Sequence, residues 1–136
     1  MTFQLNVQSI ALLIGLGLFS LMLAFHWWIG YLARQGQGQE TPDLPAPLQE
    51  KLRQHGKLLL YFYGPQCGHC RHMTPRIDAL AQRFDNVAKV DVSQADPWVA
   101  GLNIRATPTT VLIAEGKIQR ILLGPLSDKA IVNLLQ

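Results

Sequence analysis

Lys57 to Tyr63 reads KLLLYFY and is apolar from Leu58 onward. A run this short and unbroken fits a strand buried on both faces, as in the middle of a covered sheet. Gly64-Pro65 ends it, and after Gln66 comes Cys67-Gly68-His69-Cys70. The only two cysteines in the chain thus stand three apart, where a strand hands over to a helix. A helix N-terminus carries unpaired N–H groups and partial positive charge, so a thiol placed there ionises more easily. Spacing i,i+3 puts both sulfurs on one face, close enough to close a small disulfide loop.

Other uses of the pair fit less well. A purely structural disulfide would stabilise little, because so short a loop removes little unfolded-state entropy. A zinc site needs four ligands. His69 and His72 lie near, but four ligands within Cys67 to His72 could hardly surround one ion. Haem attachment wants histidine directly after the second cysteine, and Arg71 stands there. The favoured reading is a dithiol that opens and closes, itself the redox centre, with no metal or organic cofactor required.

Ile10 to Ala33 holds no charged residue, and all 12 Lys+Arg and all 9 Asp+Glu lie from Arg34 onward. About 20 apolar residues span a bilayer as a helix, so residues 10–33 are expected to be a transmembrane anchor, after an N-terminal tail over 1–9. Trp27, Trp28 and Tyr31 sit at its downstream end, at the level aromatic side chains favour. A cleaved signal peptide usually has a basic start, a shorter apolar stretch and small residues at the cut. Met1 to Ser9 carries no side-chain charge, and no such cut precedes Arg34. The net charge of +3 is spread without a basic run, which gives nucleic-acid binding little support.

Residues 34–47 are rich in Gly, Pro and Gln and read as a tether that buries no core, reaching at most about 45–50 Å. Beyond it, residues 48–136 are expected to form one domain. Leu48 to His55 is a short helix stopped by Gly56. Gly68 to Phe84 is a helix with Ile77, Leu80, Ala81 and Phe84 on one face, kinked by Pro75. Asn86 to Val92 alternates as a strand, and Asp96-Pro97 caps a short helix. Thr109 to Ala114 and Lys117 to Leu123 form a hairpin through Glu115-Gly116, and Ser127 caps a last helix. The helical crossover makes the first two strands parallel. The fold class is α/β: a mixed four-stranded sheet with helices on both faces.

Several features in register resemble the thioredoxin-fold family across Leu48 to Gln136: the strand ending at Gly64-Pro65, the Cys67-Gly68-His69-Cys70 motif, Pro75, Lys89 in the second strand, Thr107-Pro108, and Gly124. The extra N-terminal strand of full-size thioredoxins is expected to be missing. The resemblance implies that Cys67 attacks substrate disulfides and that Cys70 resolves the product. It also implies a cis bond before Pro108, and an extended substrate segment paired with the backbone of Thr107. Gly68-His69 resembles the dipeptide of disulfide isomerases. An imidazolium at His69 beside the Cys67 thiolate would stabilise the reduced form and make the couple a better oxidant.

Two departures bear on mechanism. The family's buried acid six positions before the first cysteine is Tyr61 here, so the Cys70 proton must leave by water near Lys89 or through the chemistry of Cys67. Gln66 replaces the usual tryptophan at the rim. The function expected is a membrane-tethered thiol–disulfide oxidoreductase acting on protein cysteines and recharged by another redox protein, itself possible in the membrane. Two alternatives stand beside it: a non-catalytic docking module, and a reductase dedicated to one client such as a cytochrome-maturation component. Charge beside the anchor gives a near tie for topology, leaning slightly to a cytoplasmic domain. The oxidising lean of His69 instead favours a bacterial inner-membrane protein with its domain in the periplasm, with a cytoplasmic domain as the alternative.

Overall fold

The computed structural model describes residues 6–34, 36–94 and 96–136. It divides into two units, one ending at Gln35 and one starting at Gly36. In the first, helix α1 runs Val7–Arg34, its start closed by the Ser9 and Ile10 amides on the Asn6 carbonyl. It therefore begins inside the expected tail, of which residues 1–5 lie outside the described residues. Leu12, Leu16, Phe19 and Trp27 all stand well exposed along it. The helix is long and apolar enough to cross a membrane.

In the second unit the order is α2 (Ala46–His55), β1 (Lys57–Tyr63), α3 (Gly68–Arg83), β2 (Val87–Asp91), α4 (Pro97–Gly101), β3 (Thr109–Ala114), β4 (Lys117–Leu123) and α5 (Asp128–Leu135). The sheet order is β2-β1-β3-β4, with β1 and β2 parallel and both β1–β3 and β3–β4 antiparallel. Side chains alternate across β1. Leu58, Leu60 and Phe62 meet α2 and α4 through Leu48, Leu52, Trp98 and Val99. Leu59 and Tyr61 meet Met73, Ile77 and Leu80 of α3 and Ile131 of α5. All five β1 residues from Leu58 to Phe62 are fully buried, as the apolar run requires.

Turn chemistry sets the connections. Gly56 takes φ 70°, and its amide closes α2 on the Leu52 carbonyl at 2.8 Å. Glu115 and Gly116, at φ 53° and 71°, make the two-residue hairpin loop whose twist suits the flanking strands. Ser127 accepts the Ala130 amide at 3.2 Å, as expected of a cap. Asp96 precedes Pro97 at the start of α4, but its side chain makes no capping bond. Helix α3 continues through Pro75 to Arg83.

The stretch read as a tether is not free. Gly38 donates to the Ile118 carbonyl at 2.7 Å, Ile118 donates to Gln39 at 3.0 Å, and Thr41 donates to Gly116 at 2.9 Å. Glu40 pairs antiparallel with Lys117, so this segment covers the start of β4's open edge. Leu44 is 5% exposed and joins the core beneath α2. Its Gly and Pro content hid this, because backbone pairing and one anchoring leucine need no hydrophobic pattern. Truncating Leu44 to Ala is expected to lower the unfolding free energy by about 2–4 kcal/mol. Denaturation of the full chain in micelles, followed by near-UV circular dichroism, measures this; a loss under about 0.5 kcal/mol would mean that the segment is not anchored.

Candidate active site

The end of β1, the start of α3 and the loop entering β3 meet at one end of the sheet. The Cys67 amide donates to the Gly64 carbonyl at 3.3 Å, closing the turn that follows β1. Thr107 abuts this turn: a side-chain carbon at Gly64 would lie 3.6 Å from its Oγ1. Phe62 is opposite Thr109, so Pro108 enters at the same end. The Thr107–Pro108 peptide is cis. Pro108 is buried, and its carbonyl accepts the Gly124 amide at 2.9 Å.

Cys67 is the N-cap of α3 and is disulfide-bonded to Cys70, with Cα atoms 5.2 Å apart. Its Sγ accepts the Cys70 amide at 3.2 Å. The pair is asymmetric: Cys67 is half-buried, whereas Cys70 is 3% exposed. A reagent from solution therefore meets Cys67 first. On reduction, the same amide and the helix end favour negative charge on its sulfur. A shallow groove beside the pair is lined by Tyr63, Gly64, Pro65, Arg71, Thr74 and Pro75.

Gln66, Gly68 and His69 are exposed at the rim, and the His69 side chain makes no hydrogen bond or ion pair among the described residues. Tyr61 is fully buried, and its hydroxyl shares a 3.1 Å hydrogen bond with Thr74 Oγ1. Its ring stacks on Tyr63 at 5.9 Å. Lys89, paired in register with Tyr61, reaches across to Asp78 of α3 at 2.5 Å and lies 5.7 Å from the Tyr63 ring centre. The hydrogen bond to Asp78 is the main reason that its pKa is raised, so Lys89 is a fixed cation rather than a ready proton acceptor.

Sequence reading passed over Thr74 and Arg71, although each lies four residues beyond a cysteine and hence on its face of α3. That spacing was the available signal. Asp78 had none, because its pairing with Lys89 joins elements that only the folded sheet brings together.

The family profile described as Thioredoxin matches residues 44–136. Thioredoxin of Haemophilus influenzae is 34% identical over 83 residues, covering 57% of this chain and 76% of that protein. A TPR repeat-containing thioredoxin of Arabidopsis thaliana is 35% identical over 79 residues, which is 57% of this chain but only 21% of that longer protein. The X-ray structure of Fasciola hepatica thioredoxin superposes with a TM-score of 0.55 at 28% identity, covering 64% of this chain and 88% of that one. With the cysteine pair, the cis-proline loop and all four strands inside the matched residues, the chain belongs to the thioredoxin family, whose members are thiol–disulfide oxidoreductases.

Proposed function

We propose that the chain is a membrane-tethered oxidoreductase that exchanges disulfides with protein cysteines through Cys67 and Cys70. The observation that carries this reading is the asymmetric pair: an accessible sulfur at the start of a helix, bonded to a buried sulfur one turn on. In the reducing direction the Cys67 thiolate attacks one sulfur of a substrate disulfide, and the other sulfur leaves as a thiolate. Cys70, deprotonated, then attacks Cys67 Sγ, re-forms the internal disulfide and releases the second substrate sulfur. Two electrons pass to the substrate, and the two thiol protons end on its sulfurs. Oxidation runs the same steps backwards. The dithiol is the whole redox centre in this reading, with no metal or organic cofactor.

Thr107 offers its backbone to an extended substrate segment, with Pro108 behind it and Gln66 at the rim. The contact of Thr107 with the Gly64 turn supports this role. Tyr61 gives the site a neutral hydroxyl pair with Thr74, so the Cys70 proton passes to water in the groove or to the departing substrate thiolate. Helix α1 supports the tether, holding the domain near a recharging redox partner by raising its effective concentration. The Gly68-His69 dipeptide favours an oxidising poise, and with it a domain on the periplasmic side of a bacterial inner membrane.

Replacing Cys70 with Ala is expected to leave attack intact and block resolution, so mixed disulfides through Cys67 accumulate in cells and resolve on adding reductant. A docking module would accumulate none. His69→Ala is expected to lower the reduction potential by on the order of 30 mV, because an imidazolium there would stabilise the Cys67 thiolate and with it the reduced form. Equilibration against glutathione measures it; an unchanged potential would make His69 a bystander.

A further inference from the structure

Two cations on the elements beside the groove, α3 and β2, are tied down. Arg76 is held by Asp128 and by the Leu126 carbonyl, and Lys89 by Asp78. Arg71 lines the groove together with Cys67 and Cys70, is exposed, and has no hydrogen bond or ion pair from its side chain among the described residues. The first turn of α3 contains no acidic residue, so nothing there offsets it. A cation in that turn is also poorly placed against the helix dipole, which favours anions. Among the described residues no carboxylate lines the groove; Asp91, at the end of neighbouring β2, is engaged by the amide and hydroxyl of Ser93. The other lining groups, Tyr63, Gly64, Pro65, Thr74 and Pro75, are uncharged, which leaves a free guanidinium fork beside the reacting sulfur as the groove's one charged feature.

We propose that Arg71 is a specificity-determining residue that selects substrate segments with a carboxylate side chain next to the reacting cysteine. Arg71 lies four residues after Cys67, on the same side of α3, so a substrate sulfur brought to Cys67 carries its neighbouring side chain to the guanidinium. A planar fork suits a carboxylate by paired hydrogen bonds, and the partner's charge also meets the positive helix end. This inference rests on the oxidoreductase reading and names the substrate class of that same site.

The test uses the reduced full chain in zwitterionic micelles and three disulfide peptides differing only by Glu, Gln or Lys beside the reacting cysteine. Second-order rate constants are divided by each peptide's rate with dithiothreitol, which removes intrinsic differences in reactivity. The Glu peptide is expected to exceed the Gln peptide by about three- to tenfold, with Lys slowest. The preference should vanish in Arg71→Ala, reverse in Arg71→Glu, and shrink near 0.5 M salt. Equal normalised rates in the wild type, or a ratio untouched by Arg71→Glu, would overturn the proposal. If Arg71 acted only on the acidity of Cys67, its replacement would change all three rates together and leave their ratio standing, which is that second outcome. Failure of the wild type to reduce any of the three would overturn the oxidoreductase reading itself.

Discussion

Burial of β1 from both sides is the constraint on which the site depends. Five consecutive side chains, Leu58 to Phe62, are removed from water between two helical layers. At about 1.5–3 kcal/mol for each large apolar side chain, this is roughly 10 kcal/mol of gross stabilisation concentrated on one strand. Because side chains alternate, a slip of one residue would exchange the two faces and bring Tyr61 under α2 instead of α3. The strand therefore ends at a fixed point, and the Gly64–Cys67 turn begins α3 with Cys67 held at its cap.

That placement connects packing to chemistry. Met73, Ile77 and Leu80 bind α3 to the lower side of the sheet, which buries Cys70 and leaves Cys67 at the rim. One helix thereby gives two identical side chains different access and different electrostatics. Beneath the pair Tyr61 and Thr74 share a hydrogen bond, and the charge of Lys89, in register with Tyr61, is compensated by Asp78. On the outer side, the exposed guanidinium of Arg71 lines the groove beside Cys67.

Much of this could be read from residues alone, for identifiable reasons. The apolar run of β1, the Gly56 stop, the Glu115-Gly116 turn and the Ser127 cap are local signals, and each appears where the pattern put it. The Cys67–Cys70 spacing was legible because helix geometry fixes where i and i+3 point. Residues 34–47 read as a tether because the pairing of Gly38 to Thr41 with the start of β4 is made by the backbone, and the single buried Leu44 leaves no periodic trace. The Lys89–Asp78 pair and the Tyr61–Thr74 bond were invisible for a related cause. Each joins residues far apart in sequence, and side-chain type alone does not choose among the available partners.

The account stands on the sulfur of Cys67 being made acidic by its position. The most direct measurement is the pH dependence of its alkylation in the reduced, full-length protein, with Cys70 replaced by Ala so that one thiol is read. A midpoint at or below about 7.5 is predicted, from the helix end and the amide of residue 70. A midpoint near 8.5, that of an unperturbed thiol, would contradict the claim that this fold activates the residue it places there.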